Sequence, residues 1–228
     1  MNIEIWSDIA CPWCYVGKRR FEAALASFEH RDDVTVAWRS FELDPSAPRE
    51  REGDRDDHLA RKYGMTREQA AQMHAQMTDV AAGDGLAFRF DLARSGTTFD
   101  AHRVVHLAAA HGMQDAVKER LLRAHFTEGE LVSDHDVLTR LGVEAGLPED
   151  EVRDVLATDR YAAEVREDER TASALGISAV PVFVADRAIG ASGAQPPEVL
   201  LEFLRRAWAE RSPLSVVADG EACGPDGC

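Results

Sequence analysis

The 228 residues carry 26 Lys and Arg against 41 Asp and Glu, a formal charge of -15, with 45% hydrophobic residues. Such a chain repels nucleic acid and anionic membranes on average, and no run approaches the roughly 18 apolar residues of a membrane span. The N-terminus MNIEIWSDIA lacks a basic segment followed by an apolar one, so no secretory signal is expected and the default compartment is the cytoplasm.

Residues 2–7, NIEIWS, alternate polar and apolar and predict a strand with Ile3 and Ile5 on one face. Cys11 and Cys14 follow at once, separated by Pro12 and Trp13. PWCYVGKRRFEAALASF then predicts a helix, because Phe21, Leu25 and Phe28 recur at helical spacing. Pro12 suits its first turn, where a backbone N–H would have no partner. The basic run KRR at 18–20 reads as a solvated face. DVTVAWRSFEL, 33–43, predicts a second strand, whose right-handed return makes a parallel βαβ unit. The charged, Pro- and Gly-bearing stretch 44–57 reads as a boundary loop.

From about 55 to 160 the periods are helical. Gly64 suits a helix C-cap. TREQ at 66–69 has capping-box spacing. Further helices are expected over 99–112, 114–129, 133–146 with Ser133 as cap, and from Pro148 to about 159. Met73 and Met77 read as packing residues. A helix over 160–176 leads to two short strands, PVFVAD and AIGAS, joined at Asp186-Arg187. A last amphipathic helix spans 194–211. The small, polar tail 212–228 holds Cys223 and Cys228 around GPDG.

The fold class is therefore α/β: a thioredoxin-like order, βαβ then αββα, with a large all-helical insertion between the second strand and the third core helix. Residues 1–43 and 160–211 form the thioredoxin-like unit, 44–159 the insertion and 212–228 the tail. Exchange chemistry needs one thiolate that attacks and a second thiol that resolves. The positive end of a helix favours a thiolate at its first cysteine. Cys11 is thus the expected nucleophile and Cys14 the resolving thiol. Two other readings stand beside this one. Cys11 and Cys14 are also half of a zinc site, which Cys223 and Cys228 would complete, and a structural disulfide is the third choice. Val180-Pro181, a proline opening a strand after a tight turn, is expected to be cis and to present Val180's backbone beside Cys11. Pro12 and Trp13 are expected on the substrate side; the helix around Asp100, Ala101, His102 and Arg103 either lines the groove above Cys11, with His102 on the substrate side, or is a capped, partly buried helix. Asp8 is either a proton acceptor or a loop-capping residue. His106 and His111 read as surface or packing residues.

SDxxCPWCxxGK, FDAHRxxHLA, GISAVPVFV and GASGAQPPEVL together resemble the DsbA-like thioredoxin family, in its FrnE-type cytoplasmic branch. The resemblance implies a thiol–disulfide oxidoreductase, with isomerase activity within its range. It puts the nucleophile at Cys11, the resolver at Cys14 and the cis-proline at Pro181. No cofactor beyond the redox-active disulfide is implied. The partners implied are cysteine-containing polypeptides and a thiol donor such as glutathione or a thioredoxin-type system. Members of the branch can carry a second, C-terminal pair, which Cys223 and Cys228 resemble as a relay or regulatory disulfide. The alternatives are a glutathione-dependent isomerase or transferase on a small aromatic compound, whose known members use serine at the Cys11 position, and a zinc-binding or holdase-type module.

Overall fold

A computed structural model describes residues 1–211. Four strands form its sheet: β1 (Asn2–Ser7), β2 (Thr35–Ser40), β3 (Val182–Ala185) and β4 (Ile189–Ser192), in the order β2-β1-β3-β4. β1 pairs parallel with β2, bringing Ile5 opposite Trp38, and antiparallel with β3, bringing Ile5 opposite Phe183. The crossover between β1 and β2 is α1 (Pro12–Ala26). β3 and β4 are antiparallel, and Asp186 and Arg187 between them both take positive φ, the backbone a tight hairpin needs to match strand twist. The second strand stops at Ser40 rather than Leu43, because the Leu43 N–H turns away from the ladder to Asp8 Oδ2 at 2.8 Å.

Period-2 alternation divides the sheet into two faces. Ile3, Ile5, Phe183 and Ala185 face Phe21 of α1 and Leu200, Phe203 and Leu204 of α9 (Pro197–Ala209). Trp6 and Val184 face Ala172 of α8 (Ala162–Ala174), and the Trp6 indole donates to the Asp168 carbonyl at 3.0 Å. Each large apolar side chain so buried contributes roughly 1.5–3 kcal/mol.

The inserted segment supplies α2 (Arg55–Tyr63), α3 (Arg67–Gly83), α4 (Phe99–Ala110), α5 (Gln114–Arg123), α6 (His135–Glu144) and α7 (Glu149–Ala157). α4 to α7 share one continuous apolar core with the sheet, through Val104, Leu107, Val117, Leu121, Leu138 and Val152. α5 docks on the edge strand: Gln114 bonds both backbone groups of Trp38, at 2.8 and 2.9 Å, and the Trp38 indole donates to Asp115 at 3.0 Å. A π-helical turn, Ala124–Glu128, extends α5. α2 ends on Gly64 at φ 67, and the Thr66–Gln69 capping box opens α3.

Three expectations change. Lys18, Arg19 and Arg20 are not a solvated face. Lys18 is buried and pairs with Glu22, Asp115 and Glu119, while Arg20 pairs with Asp84, so the run clamps α1 to α5 and to the end of α3. The α6 cap is Asp134, whose carboxylate accepts from the N–H groups of Asp136 and Val137; Ser133 instead bonds the Arg49 carbonyl. Of the methionine pair, Met77 is buried but Met73 is exposed.

Candidate active site

Cys11 occupies the N-cap position of α1, with extended backbone and no side-chain cap. β1 delivers it to the end of the sheet, and Pro12 supplies the first helical residue without spending an N–H. Both cysteines are free and buried. The Cys11 thiol donates to the Val180 carbonyl at 3.6 Å. The Val180-Pro181 bond is cis, as the strand-opening proline suggested. Gly17 lets α1 approach this corner: a Cβ there would lie 2.8 Å from Pro181 Cγ. Cys14 lies in the first turn of α1; its N–H donates to the Cys11 carbonyl at 3.1 Å and the two thiols are hydrogen-bonded. Burial first, then the hydrogen bond and charge of Cys11, push its thiol well above the ordinary value.

Lys118 lies buried beside the pair. The Gln114–Trp38 bonds fix α5, and Lys118 follows one turn later. Its ammonium donates to the Ser7 carbonyl at 3.3 Å and faces the Trp38 ring at 5.7 Å. Burial lowers its pKa to about 8, against the opposing pull of Cys14, Asp8 and Cys11. The sequence reading missed this residue. The available signal was its place on an apolar stripe, Lys118, Leu121, Leu122 and His125, all of which are buried.

Asp8, at the groove floor, meets His102 buried behind it, Nε2 to Oδ1 at 3.3 Å. Burial alone would raise the Asp8 carboxyl, but the His102 hydrogen bond and the Leu43 N–H outweigh it and hold it below the aspartate norm. Burial in turn lowers His102, which therefore donates as a neutral imidazole. Of the two readings of His102, the substrate side is the one that fails: the ring is buried behind Asp8 and does not reach the groove. Asp8 caps the loop through the N–H groups of Ala10 and Leu43. An ionised carboxylate so engaged is a weak base near neutral pH. His106 bridges Ser40 and Asp168, both at 3.1 Å, and ties α4 to β2 and α8. His111 reaches Glu151 at 3.2 Å near the surface.

Cys11, Pro12, Trp13 and Val180 line one wall of a groove of about 1190 Å³. Residues of α2 and α3, among them Arg55, Tyr63, Met73 and Met77, line the other. The arrangement can present one thiol to an incoming sulfur, hold the second thiol protonated behind it, and place a cation near both. Cys223 and Cys228 lie outside the described residues.

The sequence pattern of the DSBA-like thioredoxin domain matches residues 2–205. The chain is 51% identical to a probable DsbA oxidoreductase from Streptomyces coelicolor. That structure superposes with a TM-score of 0.95 over 100% of this chain and 98% of the other. The cytosolic disulfide reductase DsbM from Pseudomonas aeruginosa, in its structure with GSH, shares the fold at 20% identity and TM-score 0.66, over 92% of this chain and 100% of that one. The uncharacterized protein YwbO from Bacillus subtilis (strain 168) is 28% identical over 186 residues, 81% of this chain and 86% of its own. With the family pattern running across nearly its whole length, the chain belongs to the DSBA-like thioredoxin domain family.

Proposed function

We propose that the chain is a thiol–disulfide oxidoreductase of the FrnE-type branch, acting on cysteine-containing polypeptides in a reducing compartment, with Cys11 as nucleophile and Cys14 as resolving thiol. One observation carries the assignment of roles. Cys11 stands at the helix N-terminus in the groove wall against the Val180 carbonyl, while Cys14 is buried behind it with its proton held.

The Cys11 thiolate attacks one sulfur of a substrate disulfide. A mixed disulfide forms, the substrate S–S bond breaks, and the departing thiolate takes a proton. Cys14 then loses its proton and attacks Cys11. The second substrate thiol leaves and the Cys11–Cys14 disulfide remains, so the substrate gains the two electrons the enzyme gives up. The same steps reversed oxidise a substrate dithiol, and return of the substrate thiol to a different sulfur isomerises. A small thiol such as glutathione, or a thioredoxin-type donor, regenerates the dithiol. Lys118, with its pKa near 8, takes the Cys14 proton in its neutral amine form; in this role it replaces Asp8 as proton acceptor. Val180's backbone edge pairs an extended substrate, with Pro12 and Trp13 beneath it.

Trapping tests the roles. A Cys14→Ala variant incubated with disulfide substrates should accumulate mixed disulfides through Cys11, and a Cys11→Ser variant should not. Equal trapping by both variants, or by neither, overturns the assignment. Turnover of a small aromatic compound that survives Cys11→Ser would favour glutathione-linked isomerase or transferase chemistry instead. For the tail, the proposed relay requires that replacing Cys223 and Cys228 with Ala shifts the potential or turnover of the first pair.

A further inference from the structure

Cations in this acidic chain are almost all matched. Twenty-two of the twenty-six lysines and arginines have a carboxylate within 4.0 Å among the described residues. The four without one are Lys118, beside the thiols, and Arg55, Arg61 and Lys62. These last three follow one another along α2, and all three line the groove that holds Cys11. The groove's own carboxylates do not neutralise them. Asp44 is taken by Arg51, and Asp8 is held by His102 and backbone N–H groups.

Arg55 is the most constrained of the three. Its guanidinium lies over Phe90 at 5.3 Å and Phe126 at 6.0 Å. Its polar contact is with a ring nitrogen, His125 Nε2 at 3.3 Å, which the π-helical turn delivers. Burial and then the Arg55 charge hold His125 far down, at about 3, so the ring is neutral and supplies no counter-charge. A cation set against aromatic faces without an anion has lost water and gained little in return. An arriving carboxylate restores that loss, and Arg offers it two parallel donors. Arg61 bonds a ring nitrogen of His58, Nδ1, at 2.8 Å, and no carboxylate lies within 4.0 Å of it among the described residues.

The rest of the groove is apolar and long. Trp13, Leu43, Tyr63 and Met73 are half of the large hydrophobic side chains left exposed in the described structure, and all four line it. Its volume, about 1190 Å³, exceeds the usual range for a small ligand, roughly 300–1,000 Å³. An extended peptide several residues long suits such a trough.

We propose that the groove receives an extended polypeptide segment whose cysteine is flanked by acidic residues, with Arg55, Arg61 and Lys62 as carboxylate anchors and Trp13, Leu43, Tyr63 and Met73 as the apolar bed. This names the substrate class of the exchange reaction proposed above and rests on that reading.

The test uses the full chain in its dithiol form. The substrates are peptides of one sequence, each with a single cysteine capped as the mixed disulfide with 2-mercaptoethanol, and with Glu, Gln or Lys on both sides of that cysteine. Uncharged 2-hydroxyethyl disulfide serves as reference. The Glu peptide should react about tenfold faster than the Gln peptide at low ionic strength, the Lys peptide slowest, and the spread should shrink at high salt. In the triple variant Arg55→Gln, Arg61→Gln, Lys62→Gln the Glu-to-Gln ratio, each rate taken against the variant's own reference rate, should fall to about one. Arg170→Gln, which alters an exposed pair elsewhere, should leave the ratio unchanged. Equal rates for the three peptides, with the reference disulfide still turned over, overturn the inference and leave the oxidoreductase reading standing. Failure to react with any disulfide overturns both. Oxidised glutathione outrunning the Glu peptide, with that advantage lost in the triple variant, would reassign the cations to a small peptide disulfide and overturn the polypeptide assignment.

Discussion

The two walls of the groove are built in opposite ways. The wall that holds Cys11 is fixed by the sheet. β1 leads into it, α1 packs on Pro181 through Gly17, and Lys118, Asp8 and His102 are buried behind it with their polar groups engaged. The α2 wall, with the facing turn of α3, leaves a tyrosine, a methionine and three cations that have no carboxylate partner among the described residues. Burial fixes geometry and shifts proton affinity, so chemistry belongs to the first wall. Exposed charge and apolar surface cost little to exchange, so choice of substrate belongs to the second. Substitutions on the first wall should therefore alter the rate for every substrate, and substitutions on the second only the ranking among substrates.

The largest expected effect tests the first wall. Lys118→Met nearly conserves volume and removes the cation beside the cysteines. Loss of a positioned proton carrier costs roughly 10²–10⁴-fold in rate, so stopped-flow exchange with the uncharged disulfide and with peptides should slow alike. The wild-type pH–rate profile should show an inflection near pH 8 that vanishes in the variant. Unchanged rates and an unchanged profile would remove Lys118 from the reaction. A change confined to charged substrates would move it, in function, to the other wall.

The same lysine makes a stability prediction with a definite sign. Its pKa is lowered from 10.5 to about 8 in the folded chain. Between those values the unfolded chain binds more protons, so this group makes stability rise with pH there. Below about pH 8 the lysine is charged in both states and its burial penalty is complete. A tenfold weaker hold on the proton in the folded chain corresponds to roughly 1.4 kcal/mol. In the disulfide form, where neither active-site thiol titrates, Lys118→Met should be more stable than wild type at pH 7, and the gap should narrow toward pH 10. Urea midpoints at the two pH values measure it. A gap that widens with pH would contradict the buried, charged lysine.

Gly17→Ala should act on the first wall through packing. The added methyl group would meet Pro181 Cγ at 2.8 Å, with Phe183 Cζ at 3.5 Å behind it. A ring carbon locked in the corner beside Cys11 cannot swing away as a flexible chain end would. Overpacking of this kind costs about 1–3 kcal/mol, and urea unfolding should show it. A neutral result would mean that α1 shifts freely on Pro181, and the first wall would lose its claim to rigidity.

What the sequence disclosed divides along the same line. β1, the CPWC turn and α1 were legible because each rests on a local rule: alternation, proline at the first helical position, apolar residues at helical spacing. The Thr66–Gln69 capping box and the turn at Asp186-Arg187 are local too. The partners of charged residues were not legible. KRR looked like a solvated face, yet Lys18 finds Asp115, 97 residues on. Arg55 meets His125 across 70 residues. His102 was placed on the right helix with its direction left open, since a helical position does not say whether its side chain faces the groove or the floor beneath it. Lys118 carried a sequence signal, a lysine on an apolar stripe, but what that stripe packs against depends on how α5 docks on β2.

The smallest expected effect tests the second wall most sharply. Tyr63 and Met73 are 59% and 44% exposed, and substitutions at such sites usually stay within about 0.5 kcal/mol of the parent in stability. Tyr63→Ala and Met73→Ala should therefore leave the urea midpoint almost unmoved and exchange with the uncharged disulfide unchanged within about twofold. Peptide exchange should weaken several-fold, through the concentration of peptide needed to saturate rather than through the saturated rate, because removing contacts shared by ground state and transition state loses uniform binding. A fall in the saturated rate for both substrate kinds would show that the α2 wall takes part in the sulfur chemistry, and the division between the walls would not hold. A loss of stability of about 2 kcal/mol or more, on the scale of a core truncation, would show that the α2 face is packed in solution, so that the groove is closed before substrate arrives.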